Sequence, residues 1–235
     1  MADIKGILFD KDGTLVDFQA TWYAIGDLMA LQAAAGDRAH ADLLMARAGY
    51  DYANHRFRAD SVFAAGTNAD IVALWYPGLD DAGRQAMTRH FDTFTAAEGA
   101  RQSVPLAGCR EAVAELHRRG FRLGIATNDS TSGAEQTLAA LGMSAMFDAA
   151  YGYDAVANPK PAPDAVFAFA DLTGLKPSQI AVVGDNRHDL EMARAAGAGL
   201  AVGVLSGTGT QETLGRLADV ILDSVARLPE YLAKP

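Results

Sequence analysis

The second half of the chain alternates between helix-like and strand-like segments. Four amphipathic segments are each followed by a short apolar run: CREAVAELHRRG by FRLGIAT, TSGAEQTLAALG by MFDAAYGYD, PDAVFAFADLTG by QIAVVGD, and DLEMARAAGA by GLAVGVL. The apolar runs are too short to be helices, and such alternation is typical of a parallel sheet with right-handed crossovers. We therefore predict an α/β fold with a Rossmann-like, doubly wound parallel sheet. Its first strand is expected at Lys5 to Asp10, and ADVILD is a candidate edge strand.

The pattern changes between residues 17 and 100, where apolar residues recur at helical spacing. The segments are TWYAIGDLMALQAAAG, HADLLMARAGY, NADIVALWY and DAGRQAMTRHFDTFTAA. This spacing predicts a smaller α-helical domain, here called the cap, inserted after the first strand. Residues 1–16 and 101–235 then form the Rossmann-like core, and residues 17–100 form the cap. Trp22, Trp75 and Tyr76 are predicted to belong to the hydrophobic core of the cap.

Charge and cysteine content exclude several classes of partner. The 235 residues include 29 acidic and 20 basic side chains, for a net charge of −9, which argues against nucleic acid or an anionic membrane as the main partner. Cys109 is the only cysteine, so neither an internal disulfide nor a thiolate metal cluster can form. No apolar run approaches the length of a signal peptide core or a membrane span, so a cytoplasmic protein is expected.

Polar side chains that could take part in binding or catalysis follow several of the predicted strands. The carboxyl ends of parallel strands share one edge of the sheet, where such folds bind ligands. The residues at these ends, with one lysine from the segment NPKPAPD, are Asp10, Asp12, Thr127, Asn128, Lys160, Asp185 and Asp189. Four carboxylates in one crevice repel each other unless a cation compensates, and hard oxygen ligands suit Mg²⁺. With Mg²⁺ and Lys160 to neutralise a phosphate dianion, one carboxylate can attack phosphorus while a second transfers protons.

The motifs DKDGT, IATN, the lysine of NPKPAPD and GDNRHD, in this order, resemble the four motifs of the haloacid dehalogenase superfamily. The resemblance is to its phosphatases with a helical cap after the first motif, similar to phosphoglycolate phosphatases. It implies that Asp10 is the nucleophile and a metal ligand, and that Asp12 is the general acid/base, whose backbone carbonyl also reaches the metal. It further implies a set of binding residues: Thr127 and Lys160 for the phosphoryl group, Asn128 beside them, and Asp185 and Asp189 for Mg²⁺.

The resemblance also narrows the reaction. Family dehalogenases lack a carboxylate at the position of Asp12, so its presence favours phosphoryl chemistry. Lys11 matches the DKTGT site of ion-pumping ATPases, but those have threonine in place of Asp12 and need membrane helices. The expected function is Mg²⁺-dependent hydrolysis of a small-molecule phosphate ester, with phosphoglycolate as first candidate. A mutase similar to β-phosphoglucomutase and a non-catalytic phosphometabolite-binding protein stay open.

Two further segments have an ambiguous sequence signal. The basic cluster of His55, Arg56 and Arg58 lies in the cap, where it can either grip the far end of the substrate or form a solvated helix face. The glycine-rich segment SGTGT at residues 206–210 lacks the lysine of a phosphate loop, so a plain connection is expected there.

Overall fold

Six parallel strands form the main sheet of the protein. The computed structural model describes residues 3–233. The strands are β1 (Gly6–Phe9), β4 (Arg122–Ala126), β5 (Ala149–Tyr151), β6 (Ile180–Gly184), β7 (Leu200–Val204) and β8 (Val220–Leu222). Their order across the sheet is β5-β4-β1-β6-β7-β8, and every neighbouring pair is parallel. The predicted α/β fold is confirmed, including the edge strand from ADVILD.

Helices cover both faces of this sheet. They are α6 (Cys109–Arg118), α7 (Thr131–Ala140), α8 (Asp164–Thr173), α9 (Arg187–Ala196), α10 (Gln211–Leu214) and α11 (Leu228–Tyr231). Ile7 and Phe9 of β1 pack with residues of α6 and α7, whereas Leu8 packs with residues of α8 and α9 on the opposite face. Successive side chains of a strand point to opposite faces, so a central strand covered on both sides must be apolar throughout. Within residues 3–233, no helix combines the length and apolarity needed to cross a membrane.

The segment after β1 is mostly helical and has a hydrophobic cluster of its own. Its elements are α1 (Phe18–Ala33), α2 (Arg38–Ala48), β2 (Tyr50–Asp51), β3 (Arg56–Phe57), α3 (Val62–Ala65), α4 (Asn68–Trp75) and α5 (Asp81–Gln102). Trp75 and Phe91 are at the centre of this cluster, which also includes Trp22. A short antiparallel hairpin of β2 and β3, which the sequence did not predict, interrupts the otherwise helical segment. The division into core and cap at residues 17 and 100 stays a prediction, and α5 continues to Gln102.

The chain enters and leaves the predicted cap at adjacent positions. Asp17 N–H donates to Val104 O at 2.8 Å, and Leu106 N–H donates to Leu15 O at 3.0 Å. Val16 and Pro105 form an antiparallel bridge between these two bonds. The two connections, here called the paired crossings, therefore form a short ribbon rather than two independent linkers.

Candidate active site

A cavity of about 60 Å³ opens at the carboxyl ends of β1, β4 and β6. Asp10 directly follows β1, Thr127 follows β4 and Asp185 follows β6, while Lys160 comes from the connection between β5 and α8. All seven site residues predicted from the core motifs line this cavity: Asp10, Asp12, Thr127, Asn128, Lys160, Asp185 and Asp189. The topology of the parallel sheet thus brings together residues that lie far apart in the chain.

Three carboxylates form a tight, buried cluster in the cavity. Asp10, Asp185 and Asp189 each offer an oxygen within 4.8 Å of the others. The Lys160 ammonium donates to Asp10 Oδ1 at 2.7 Å and to Asp189 Oδ1 at 2.6 Å. Burial, together with the charges of neighbouring carboxylates, raises the pKa of Asp10 to about 7 although Lys160 opposes the shift. Burial and the charges of Asp10 and Asp189 likewise raise the pKa of Asp185, so one ammonium does not neutralise this cluster.

The loop at residues 206–210 holds Asp185 in place. Thr208 donates its N–H to Asp185 Oδ2 at 2.7 Å, and its hydroxyl lies 3.2 Å from the same oxygen. A Cβ on Gly207 would lie 2.0 Å from Asp185 Oδ2, so only glycine allows this approach. The Ser206 hydroxyl donates to Gly13 O at 2.7 Å. The segment therefore does more than connect two elements, because it fixes the orientation of a carboxylate in the acidic cluster.

A tight turn after β1 places Asp12 beside this cluster. Gly13 has a φ of +86°, which favours glycine, and its N–H donates to Val16 O at 2.7 Å. A Cβ at Gly13 would lie 2.6 Å from the carboxyl carbon of Asp185. The glycine of the DKDGT motif thus lets the turn fold back against the carboxylate that follows β6.

The carboxylate of Asp12 has different partners from the acidic cluster. Lys11 Nζ lies 2.5 Å from Asp12 Oδ2 and 3.1 Å from Asp129 Oδ2, and its side chain is only 2% exposed. Although burial favours the neutral amine, the charges of Asp12 and Asp129 raise the pKa of Lys11. On the other side, Trp22 Nε1–H donates to Asp12 Oδ1 at 2.6 Å. Both oxygens of Asp12 are therefore held by protein donors.

Thr127 and Asn128 are anchored in different ways. The Thr127 hydroxyl accepts the N–H of Asp129 at 3.1 Å, which leaves its own proton available as a donor. Asn128 Nδ2 donates to Ala65 O at 2.8 Å and to Lys160 O at 3.2 Å. Asn128 thus ties the predicted cap to the lysine loop, and its contact with a substrate stays a prediction.

Comparison with known proteins agrees with this arrangement. The family model for haloacid dehalogenase-like hydrolases matches residues 4–197. The chain belongs to this family. Phosphoglycolate phosphatases from Escherichia coli (strain K12) and Salmonella typhimurium are 30% and 29% identical to this hydrolase. These matches cover 99% and 100% of this chain, and 94% and 95% of the relatives. The predicted hydrolase is confirmed, and the full-length relatives support the phosphoric monoester hydrolase that the motifs indicate.

Two solved structures share the fold of this hydrolase. A predicted phosphoglycolate phosphatase from Haemophilus somnus superposes with a TM-score of 0.74 at 24% identity, over 99% of both chains. CbbY from Rhodobacter sphaeroides, solved in complex with phosphate, superposes with a TM-score of 0.67 at 23% identity, over 96% of both chains. Both coverages include most of the segment at residues 17–100, so this segment is part of the shared fold.

The acidic cluster of this hydrolase fits a hard divalent cation. Its donors are carboxylate oxygens, which Mg²⁺ and similar cations prefer. Asp10, Asp185 and Asp189 are together the residues that would hold it, and their charge exceeds that of Lys160. The Asp12 side chain lies outside this group because Lys11 and Trp22 hold it, which agrees with a separate role for that carboxylate.

The predicted cap contributes a neutral wall to the cavity. Its lining residues are Trp22, Phe63, Ala64, Ala65, Gly66, Thr67, Asn68 and Ile71. The Ala65 carbonyl joins this wall to the core, since it accepts from Asn128 and lies 3.3 Å from His188 Nδ1. The sequence interpretation assigned Trp22 to the hydrophobic core of the cap and did not single out the other seven residues, because no sequence motif marks them as a binding surface.

The basic cluster of the cap lies elsewhere. His55 is exposed in the turn between β2 and β3, whereas Arg56 and Arg58 line a second cavity of about 200 Å³. Thr208 and Thr210 also line that cavity. None of the three basic residues lines the cavity around Asp10. His55 and Arg56 lie in the β2–β3 hairpin and Arg58 directly follows β3, so none lies on the helix face considered from the sequence.

Proposed function

We propose that this protein hydrolyses small-molecule phosphomonoesters in a Mg²⁺-dependent reaction through a phospho-aspartate on Asp10. The observation that carries the proposal is the different environment of two carboxylates two residues apart. Asp10 lies in the acidic cluster beside Lys160, whereas Asp12 is held by Lys11 and Trp22. Unequal environments give neighbouring carboxylates different tasks, here nucleophile and proton carrier.

The reaction has two steps. In the first, an oxygen of Asp10 forms a bond to phosphorus while the bond from phosphorus to the leaving alkoxide breaks, and Asp12 gives the alkoxide a proton. In the second, Asp12 accepts a proton from water as that water attacks phosphorus, so the bond from phosphorus to Asp10 breaks. Inorganic phosphate leaves, and both carboxylates return to their starting states.

The remaining residues hold the phosphoryl group and balance its charge. Lys160 lies against Asp10 and Asp189, and the Thr127 hydroxyl faces the same cavity. Asp10, Asp185 and Asp189, with the Asp12 backbone carbonyl that the resemblance implies, would hold Mg²⁺, whose positive charge would offset the phosphate dianion. Protein donors fixed before the substrate arrives lower the cost of collecting negative charge in a buried cavity.

Phosphoglycolate is our first candidate substrate. The full-length relatives named above carry the name phosphoglycolate phosphatase, and a cavity of about 60 Å³ suits a small leaving group. The wall formed by Phe63, Asn68 and Ile71 would contact that leaving group. His55, Arg56 and Arg58 remain predicted contacts for the far end of the substrate, although none of them lines the cavity around Asp10.

Phosphate release from a panel of esters tests the proposal. The panel contains phosphoglycolate, esters of neutral alcohols and p-nitrophenyl phosphate, each with Mg²⁺ and with EDTA. We expect metal-dependent release that Asp10→Asn abolishes. Asp12→Asn should slow alkyl esters more than p-nitrophenyl phosphate, whose leaving group departs without a proton. No phosphate release from any ester, or release that EDTA leaves unchanged, would overturn the proposal. If Asp12→Asn slows alkyl esters and p-nitrophenyl phosphate equally, Asp12 is not the general acid/base.

A further inference from the structure

Trp22 links the predicted cap to the proton carrier in the core. It lies in the second turn of α1, five residues past the crossing at Asp17, whereas Asp12 lies in the turn after β1. The Trp22 Nε1–H donates to Asp12 Oδ1 at 2.6 Å, and the Trp22 side chain is 7% exposed. A short hydrogen bond from a buried indole to a carboxylate is among the stronger kinds in proteins.

The two oxygens of Asp12 are anchored by donors from two different elements. Lys11, in the core, holds Oδ2 at 2.5 Å and is itself fixed by Asp129. Trp22, in α1, holds Oδ1, and its ring packs edge-on against Phe63 with centroids 6.2 Å apart. The Lys11 ammonium also lies 5.2 Å from the centre of the Trp22 ring. With one anchor on each element, the Asp12 carboxylate has a fixed direction only while α1 stays in this position.

We propose that Trp22 is a positioning residue that aims the Asp12 carboxylate at the leaving-group oxygen and makes proton transfer depend on the seating of α1. The inference rests on the proposed role of Asp12 in phosphomonoester hydrolysis. An indole N–H suits this task, because it donates a hydrogen bond but neither accepts one nor carries a charge. If α1 moves away from the core, Asp12 loses the hydrogen bond from Trp22 and its carboxylate no longer has a fixed orientation. Asp12 is therefore correctly oriented for proton transfer only while α1 covers the cavity.

Trp22→Phe tests the inference, because it keeps an aromatic ring for packing and removes the N–H. We expect kcat for an alkyl phosphomonoester to fall about 10-fold to 100-fold, since the lost bond is to a charged group. The kcat for p-nitrophenyl phosphate should fall less than about twofold, since that leaving group needs no proton, and KM should change little for either ester.

Trp75→Phe is the matched control. Trp75 is buried in the same hydrophobic cluster, but its Nε1–H donates to Leu44 O at 3.0 Å, away from the cavity. We expect this variant to keep the wild-type ratio of alkyl to aryl rates. A Trp22→Phe variant that loses both rates equally, or keeps the alkyl rate, would overturn the inference.

Fluorescence gives a readout that does not depend on turnover. Trp22 and Trp75 are the only tryptophans, so the Trp75→Phe variant reports on Trp22 alone. Adding Asp12→Asn to that variant should shift the emission of Trp22, because the acceptor of its N–H changes from a carboxylate to an amide. Unchanged emission would refute the contact even where Trp22→Phe does not fold. Absence of phosphate release by the wild-type protein would instead refute the proposed function.

Discussion

Gly207→Ala is expected to weaken metal binding without unfolding the protein. The added Cβ would lie 2.0 Å from Asp185 Oδ2 and 2.3 Å from its carboxyl carbon, where ordinary contact begins near 3.4 Å. The gap is too short by about 1.4 Å, so either the loop or the carboxylate must move. Gly207 is not among the glycines with positive φ, so alanine adds no backbone strain there. The collision therefore acts on the orientation of Asp185.

The expected magnitude follows from the contact that is lost. The Thr208 N–H bond to Asp185, at 2.7 Å, is a hydrogen bond to a charged group and contributes about 1.5–3 kcal/mol. Residues that orient metal ligands typically change metal affinity by about 10-fold to 100-fold. We therefore expect the Mg²⁺ concentration that gives half-maximal phosphate release to rise by about that factor, with much of kcat recovered at saturating Mg²⁺.

A Mg²⁺ titration of wild type, Gly207→Ala and Gly78→Ala makes the comparison. Gly78 is an exposed loop glycine, and a Cβ there would meet nothing within 4 Å, so its variant should match wild type. Thermal unfolding in EDTA separates a metal effect from a folding defect. An unchanged Mg²⁺ requirement in a folded Gly207→Ala protein would show that the loop does not position Asp185.

Three other outcomes are expected. In the metal-free protein, the pKa of Asp10 is raised from an ordinary 3.8 to about 7 in the folded state. As pH rises, Asp10 therefore loses its proton in the unfolded state first. The free energy of unfolding should fall by up to about 4 kcal/mol between about pH 4 and about pH 7. Urea unfolding in EDTA should show a smaller fall for Asp10→Asn, and an equal fall would contradict the raised pKa. Lys11→Met should lower the free energy of unfolding by about 3–5 kcal/mol, because it leaves the buried carboxylates of Asp12 and Asp129 without their cation. Adding Asp129→Asn should recover part of this loss. Chemical denaturation measures the stability of the single and the double variant. Arg56→Gln should leave KM for phosphoglycolate unchanged and raise KM only for longer anionic leaving groups, whereas a raised KM for phosphoglycolate would place Arg56 at the first cavity.

The α/β core and its strand-end residues were predictable because two physical constraints act together. Short apolar runs between amphipathic segments admit few alternatives to a parallel sheet. Parallel strands then place their carboxyl ends along one edge, so Asp10, Thr127 and Asp185 meet whatever the details of the helices. The prediction needed only the order and type of elements, which local sequence determines well.

The cap side of the site was not predictable in the same way. Strands β2 and β3 have two residues each, too few for a periodic pattern, and the hairpin was missed. Trp22 was assigned to the hydrophobic core, and its ring does pack there, but the direction of its N–H depends on the turn that holds Asp12. Tryptophan has an apolar body and one polar edge, so only the tertiary placement decides what that edge contacts.

The paired crossings bear on how proteins of this architecture can diversify. The chain leaves and re-enters the core at adjacent backbone positions. The core therefore does not have to change when the predicted cap between these positions changes in length. Loop-closure cost grows only slowly with the length of an inserted segment, so insertions of different size can occupy the same point. Selection on the choice of leaving group can then alter the predicted cap, while the proposed phosphoryl-transfer residues of the core keep their positions.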